Sequence, residues 1–251
     1  MIIDADTHIT PSGEGIYIEN LITMMEESGV DKALTWLQPP YMREVADLNK
    51  YVYQAVKDYP ERILGFGWAD PNLGIAKSKD MIKKCLYQYG FYGVKLNGAQ
   101  NNFYIDNPEY LPLIDIIAEA KKILAFHVGA DAYECTHPFR VAKIAAQYPE
   151  LEILMVHMGG AGLPDLANSA IEIAEKYSNI TMIASNVSPK SVLKAIKTLG
   201  SERVCFGSDT PFEFMHVELA KIQALIAGEK NFSSSDKVNI LGGNIARIFG
   251  L

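Results

Sequence analysis

Short runs of β-branched and other apolar residues alternate along the chain with longer stretches in which apolar positions recur at helical spacing. The first run, at about 1–8, precedes an amphipathic stretch near 17–28, where Leu21, Met24 and Met25 come before Gly29. Further strands are predicted at 32–37, 63–69, 92–98, 123–129, 151–160, 180–185 and 203–211. Helices are predicted between them at about 41–59, 74–89, 107–122, 138–148 and 164–177, then from Ser188-Pro189 and near 215–227. Pro189 suits a first helical position, where a missing N–H costs nothing. The last segment, 235–249, begins Ser-Ser-Asp and reads as an extra closing helix.

Eight strand–helix units without a compositional break predict an α/β fold, a (β/α)8 TIM barrel in a single domain over 1–251 with an added C-terminal helix. Parallel strands need crossovers, and a parallel sheet needs both faces covered. A doubly wound open sheet is the competing architecture. It usually carries a glycine-rich first turn, whereas Pro11-Ser12-Gly13-Glu14-Gly15 holds no G-x-G-x-x-G.

Composition narrows the partners. Apolar residues form 49% of the 251 and charged ones 21%, enough for a sizeable core. Lys plus Arg is 23 against 30 Asp plus Glu, a net charge of −7 that argues against nucleic acid. No apolar run approaches the ~20 residues of a membrane helix, and no signal peptide is visible. Cys85, Cys135 and Cys205 are widely spaced without a C-x-x-C pair, which suits a reducing, cytoplasmic setting. The expected partner is a small-molecule substrate, neither nucleic acid nor a membrane, with a homodimer as one allowed assembly.

The candidate chemistry lies at strand ends, where barrel enzymes carry it. "DADTHIT", residues 4–10, would place Asp4, Asp6 and His8 on one face of the first strand by period-two alternation. Lys95 and Asn97 end the fourth strand, His127 the fifth, His157 the sixth and Asp209 the eighth. Three of the five histidines thus end apolar strands. Each alone reads as a hydrogen-bonded structural group or, for Asp209, a helix cap. Together, imidazoles and carboxylates converging on one mouth make a site for a divalent cation. Trp36, Trp68, Asn97, Tyr133, His137, Arg140, Asn186 and Phe212 sit at or just after strand ends and could shape a pocket. His137 reads as a helix start, His216 as structural, and Cys205 as core.

D-x-D-x-H on the first strand, "GVKL" on the fourth, "FHVG" on the fifth, "VHMGG" on the sixth, "FGSDTPF" on the eighth and the terminal "LGGNIARIFGL" together resemble the amidohydrolase superfamily. More narrowly, they resemble the amidohydrolase-related branch of metal-dependent hydrolases and decarboxylases that includes aminocarboxymuconate semialdehyde decarboxylase. The resemblance implies one divalent metal, zinc first and manganese second, held by Asp6, His8, His127 and Asp209. It implies that His157 stands beside the metal and handles protons. Asp6 departs from the commoner histidine; several decarboxylases of the branch carry a carboxylate there.

The expected activity is hydrolysis of a small amide, ester or lactone by metal-bound water, with His157 as base and Asp209 orienting the nucleophile. The alternative is non-oxidative decarboxylation of an aromatic or enoic acid at the same site. A degenerate barrel that binds without catalysis is the third reading. Asp4 is expected to be a buried structural carboxylate, and Lys95 to contact either Asp4 or the substrate.

Overall fold

A computed structural model describes residues 1–11, 15–38 and 45–251. Part of the first turn and the expected start of the second helix at about 41 lie outside these residues. The strands are β1 (Ile3–Ile9), β2 (Lys32–Leu37), β3 (Ile63–Gly65), β4 (Gly67–Trp68), β5 (Gly93–Leu96), β6 (Ile123–His127), β7 (Ile153–Val156), β8 (Ile180–Ile183) and β9 (Val204–Cys205). Every neighbouring pair runs parallel, in the orders β1-β2-β3 and β4-β5-β6-β7-β8-β9. Helices follow the strands as crossovers, giving the expected α/β TIM-barrel architecture.

The expected third strand is interrupted at Phe66, so among the described residues the ladder forms two sheets rather than one closed ring. Single backbone bonds link them: Phe66 N–H to Thr35 O at 3.0 Å and Tyr92 N–H to Gly65 O at 3.1 Å. On the other side, Ala5 N–H reaches Phe206 O at 3.0 Å and His8 N–H reaches Thr210 O at 2.8 Å. The eighth predicted strand is likewise shorter than 203–211, because its ladder ends at Cys205 and buried, non-ladder backbone continues to Asp209.

Period two explains the interior. Leu34 and Trp36, Leu64 and Phe66, Ile123 and Ala125, and Leu154 and Val156 all belong to one buried cluster inside the barrel. Ile245 and Phe249 of the closing helix, Asn244–Phe249, join that cluster. The Phe249 ring stacks on Tyr92 at 4.6 Å and on Phe66 at 6.3 Å between centroids. The N-terminal end of the barrel is therefore filled with side chains. A second, larger cluster packs the outer strand faces against the helices. Among the described residues no helix is long and apolar enough to cross a membrane.

Candidate metal site and its cavity

β1 is buried along its whole length, and its alternation is broken. Asp4 pairs with Ala33 but Thr7 with Thr35, so three steps on β1 match two on β2. The Asp4 carboxylate secures this bulge: its Oδ1 accepts from Asp6 N–H at 3.0 Å and from Ser208 N–H at 2.8 Å. Asp4 is thus the buried structural carboxylate expected, but Lys95 is not its partner. Lys95 Nζ lies instead 3.8 Å from Asp6 Oδ1 and 3.8 Å from the centre of the Trp36 ring. It has no hydrogen-bond partner among the described residues.

Asp6, His8 and Asp209 meet at the C-terminal mouth, with one ligand atom from each within 4.8 Å of the others. His8 Nε2 is 3.4 Å from Asp6 Oδ1 and 3.5 Å from Asp209 Oδ1. His8 Nδ1 faces Leu37 O at 3.0 Å, so this nitrogen carries the proton, and Nε2 keeps its lone pair, which accepts from the Trp36 indole N–H at 3.0 Å. Asp209 is delivered by a sharp turn: its φ is 66°, and its N–H bonds Asp6 O at 2.9 Å. Among the described residues Asp6 Oδ1 is buried without a hydrogen-bond partner, the Lys95 ammonium standing 3.8 Å away, so the oxygen has room to take a further positive charge. Two carboxylate oxygens and one imidazole nitrogen are a donor set that fits a divalent metal.

Electrostatics agree with this geometry. Burial pushes the Asp4 carboxyl up to about 7. Burial would do the same to Asp6, but the Lys95 charge and the close approach of His8 outweigh it and hold that carboxyl below the usual range. Burial and Lys95 depress His8, yet contacts with Asp209 and Asp6 leave its pKa raised overall. In both cases a positive charge, proton or metal, is favoured between the groups. Burial lowers Lys95, partly offset by Asp6 and Asp209.

The expected ligand His127 stands outside the Asp6–His8–Asp209 group. Its Nε2 bonds Asp131 Oδ1 at 2.6 Å, and its Nδ1 faces His157 Nε2 at 3.2 Å. Burial drives His127 down to about 4, the Asp131 contact offsetting only part of this, so its imidazole is neutral near pH 7. The predicted strand carrying His157 ends at Val156, and His157 and Met158 turn away with φ of 63° and 48°. His157 Nδ1 meets Ser185 O at 3.2 Å and Ser185 Oγ at 3.1 Å. Ser185 Oγ in turn donates to Asp6 Oδ2 at 2.5 Å. Glycines permit the close approach of these two loops: a Cβ on Gly129 would lie 1.8 Å from Gly159 O.

A cavity of about 230 Å³ opens over this floor. His8, His127, His157 and Asp209 line it, with Asn97, Asn186 and Phe212 from the predicted pocket residues. Asp6 lies just beneath, fully buried. Trp36 and Trp68 are buried supports, donating to His8 Nε2 at 3.0 Å and Asn101 Oδ1 at 2.8 Å. His137 caps the following helix by accepting from Phe139 N–H at 3.2 Å. Arg140 is held by Asp106 at 2.6 Å. Sequence reasoning missed Asp131, Ser185 and Gln100. Ser185 sits directly after β8, a strand-end signal that could have found it; Asp131, four residues beyond His127 in a loop, gave no such signal.

A barrel with carboxylates and imidazoles at its C-terminal mouth defines a metal-dependent enzyme of the amidohydrolase type. The amidohydrolase family profile matches residues 3–251, and the chain belongs to that family. It is 24% identical over 252 residues to 2-amino-3-carboxymuconate-6-semialdehyde decarboxylase of Dictyostelium discoideum, covering 86% of this chain and 69% of that protein. It is 23% identical to gamma-resorcylate decarboxylase of Polaromonas sp., covering 92% and 86%. Among solved structures, 5-carboxyvanillate decarboxylase of Novosphingobium aromaticivorans, complexed with manganese, superposes with a TM-score of 0.80 at 19% identity, covering 100% and 96%. These similar proteins are decarboxylases, which overturns the expectation of a hydrolase acting on an amide, ester or lactone. The role given to Asp209 in orienting a hydrolytic nucleophile falls with it.

Proposed function

We propose that this chain is a divalent-metal-dependent, non-oxidative decarboxylase of a small aromatic hydroxy acid. The observation that carries the reading is the grouping of Asp6, His8 and Asp209 on the floor of a cavity whose wall presents His127 and His157. The decarboxylases similar to this chain support the same reading. Asp6, His8 and Asp209 would hold the metal, and His127 would join them by giving up Asp131. Hard carboxylate oxygens suit manganese better than the zinc expected from sequence. When bound, the metal supplies a Lewis acid that anchors the substrate's carboxylate and neighbouring hydroxyl.

The net reaction replaces a ring carboxylate by hydrogen: one proton arrives at the carbon, the C–C bond to the carboxylate breaks, and CO2 departs. His157 is the residue we assign to that proton. Its Nδ1 is committed to Ser185 O at 3.2 Å, so a proton for the cavity would ride on Nε2, which must first leave its 3.2 Å contact with His127 Nδ1. Ser185 fixes the ring against Asp6 and keeps the wall aligned with the floor. Phe212, against the His8 ring at 5.3 Å, supplies an apolar edge for an aromatic ring.

The test is CO2 release from gamma-resorcylate, 5-carboxyvanillate and related hydroxybenzoates by protein stripped of metal and reloaded with manganese. Release that depends on metal and disappears in Asp209→Asn is expected. His157→Asn should keep its metal and lose about 10²–10⁴-fold in rate, the worth of a positioned acid or base. Full manganese loading with no CO2 from any acid would overturn the reading.

A further inference from the structure

One hydroxyl joins the floor of the site to its wall. Ser185 Oγ donates to Asp6 Oδ2 at 2.5 Å and lies 3.1 Å from His157 Nδ1. Asp6 Oδ2 and His157 Nδ1 are themselves 3.8 Å apart, beyond hydrogen-bond reach, so the hydroxyl is their link. A serine hydroxyl has a single hydrogen. Given to Asp6, it leaves only lone pairs toward His157, whose Nδ1 must then donate. The same bond occupies one oxygen of Asp6 and leaves Oδ1, 3.4 Å from His8 Nε2, to face the metal position.

The turn that carries Ser185 is gripped on both sides. The β8 ladder has ended at Ile183, and Ala184 N–H donates to Cys205 O at 2.9 Å. Beyond Ser185, Asn186 N–H donates to Glu218 Oε2 at 3.0 Å, and Val187 O accepts from Lys221 Nζ at 2.9 Å. Asn186 has a φ of 54°, so the chain turns left-handed directly after Ser185. Glu218 and Lys221 stand one turn apart on the helix Met215–Gly228 and pair at 2.5 Å. Their side chains are only 9% and 17% exposed. An ion pair taken out of water returns in attraction about what its desolvation costs, so stability alone does not account for it. This pair instead sets its carboxylate on an N–H and its ammonium on a C=O of consecutive residues in the turn.

We infer that Glu218 and Lys221 are positioning residues for the metal site, acting through the turn 184–187 to hold the Ser185 hydroxyl between Asp6 and His157. The inference rests on the reading of Asp6 as a metal ligand. It assigns to an outer helix a part in presenting that ligand, and it does not depend on which acid is decarboxylated.

The experiment is manganese binding, followed by electron paramagnetic resonance of the free ion, in a double-mutant cycle of Ser185→Ala and Glu218→Ala. Ser185→Ala should weaken binding by about 10–100-fold, the usual worth of a residue that orients a ligand. Glu218→Ala should weaken it when Ser185 is present, and add less than about 2-fold once Ser185 is alanine. Glu218→Gln keeps an acceptor oxygen for Asn186 N–H and should restore most of the affinity. Lys221→Met keeps the packed stem and should weaken binding as Glu218→Ala does. It takes that variant's place in the cycle if Glu218→Ala does not fold. Additive losses in the double variant overturn the inference, because the helix would then reach the metal by another route. Unchanged manganese affinity in a less stable Glu218→Ala also overturns it, because that marks a merely structural role. A wild type that takes up no manganese overturns the metal reading, and the positioning role with it.

Discussion

His8 Nε2 is contested by three neighbours. Two carboxylate oxygens lie within 3.5 Å, and the Trp36 indole N–H points at the same nitrogen from 3.0 Å. Nε2 has one lone pair, so a metal there must displace the Trp36 bond. Metal titration should therefore change tryptophan emission, to which only Trp36 and Trp68 contribute. Trp36→Phe should keep the metal and lose most of the change; an undiminished change in that variant would place the metal elsewhere. Asp6 is the neighbouring control point. Asp6→His exchanges a hard oxygen for imidazole, so competitive binding should shift toward zinc over manganese. An unchanged preference would mean that Asp6 does not touch the metal.

At the scale of elements, the strand ends were legible because an ionisable residue closing an apolar run is conspicuous. His8, His157 and Asp209 were found that way, and the cavity gathers all three. What was not legible depends on backbone detail. Alternation alone put Asp4 beside Asp6 and His8, but the β1 bulge turns Asp4 to the backbone of Asp6 and Ser208. The interruption at Phe66, the left-handed turn at His157 and the pairing of Lys95 with Asp6 likewise follow from contacts distant in sequence. Loop anchors behave similarly. Asp106, after β5, is clamped by Arg140 at 2.6 Å and Lys143 at 2.5 Å on the helix Pro138–Gln147. Burial opposes ionisation there, but these two cations outweigh it and lower the carboxyl below its ordinary 3.8. A depressed carboxyl stabilises the fold above its unfolded value and loses that contribution as pH falls through the folded one. Asp106→Asn should thus cost about 1–3 kcal/mol in denaturant unfolding at neutral pH. The difference should close as pH drops below 3.8. A pH-independent difference would show that the ionised form contributes nothing.

At the scale of the whole molecule, the closing segment decides which end of the barrel is open. Phe249 and Ile245 fill the N-terminal end, and Asn244 ties them in by donating to Ser201 O at 2.7 Å and Val204 O at 2.9 Å. Asn244→Ala leaves two buried carbonyls without that partner and should cost about 2–4 kcal/mol in unfolding free energy, with catalysis per folded molecule unchanged. A cost near zero would mean the segment is held by apolar packing alone. With that end filled, the C-terminal mouth is the end at which the proposed decarboxylation would run. Its most direct test is turnover of a hydroxybenzoate by the manganese-loaded protein in D2O, with CO2 collected and the aromatic product weighed by mass spectrometry. Turnover should give one CO2 per product and one deuterium on the ring carbon that carried the carboxylate, both abolished by Asp209→Asn. A product that retains its carboxylate, or CO2 release undiminished in that variant, would contradict it.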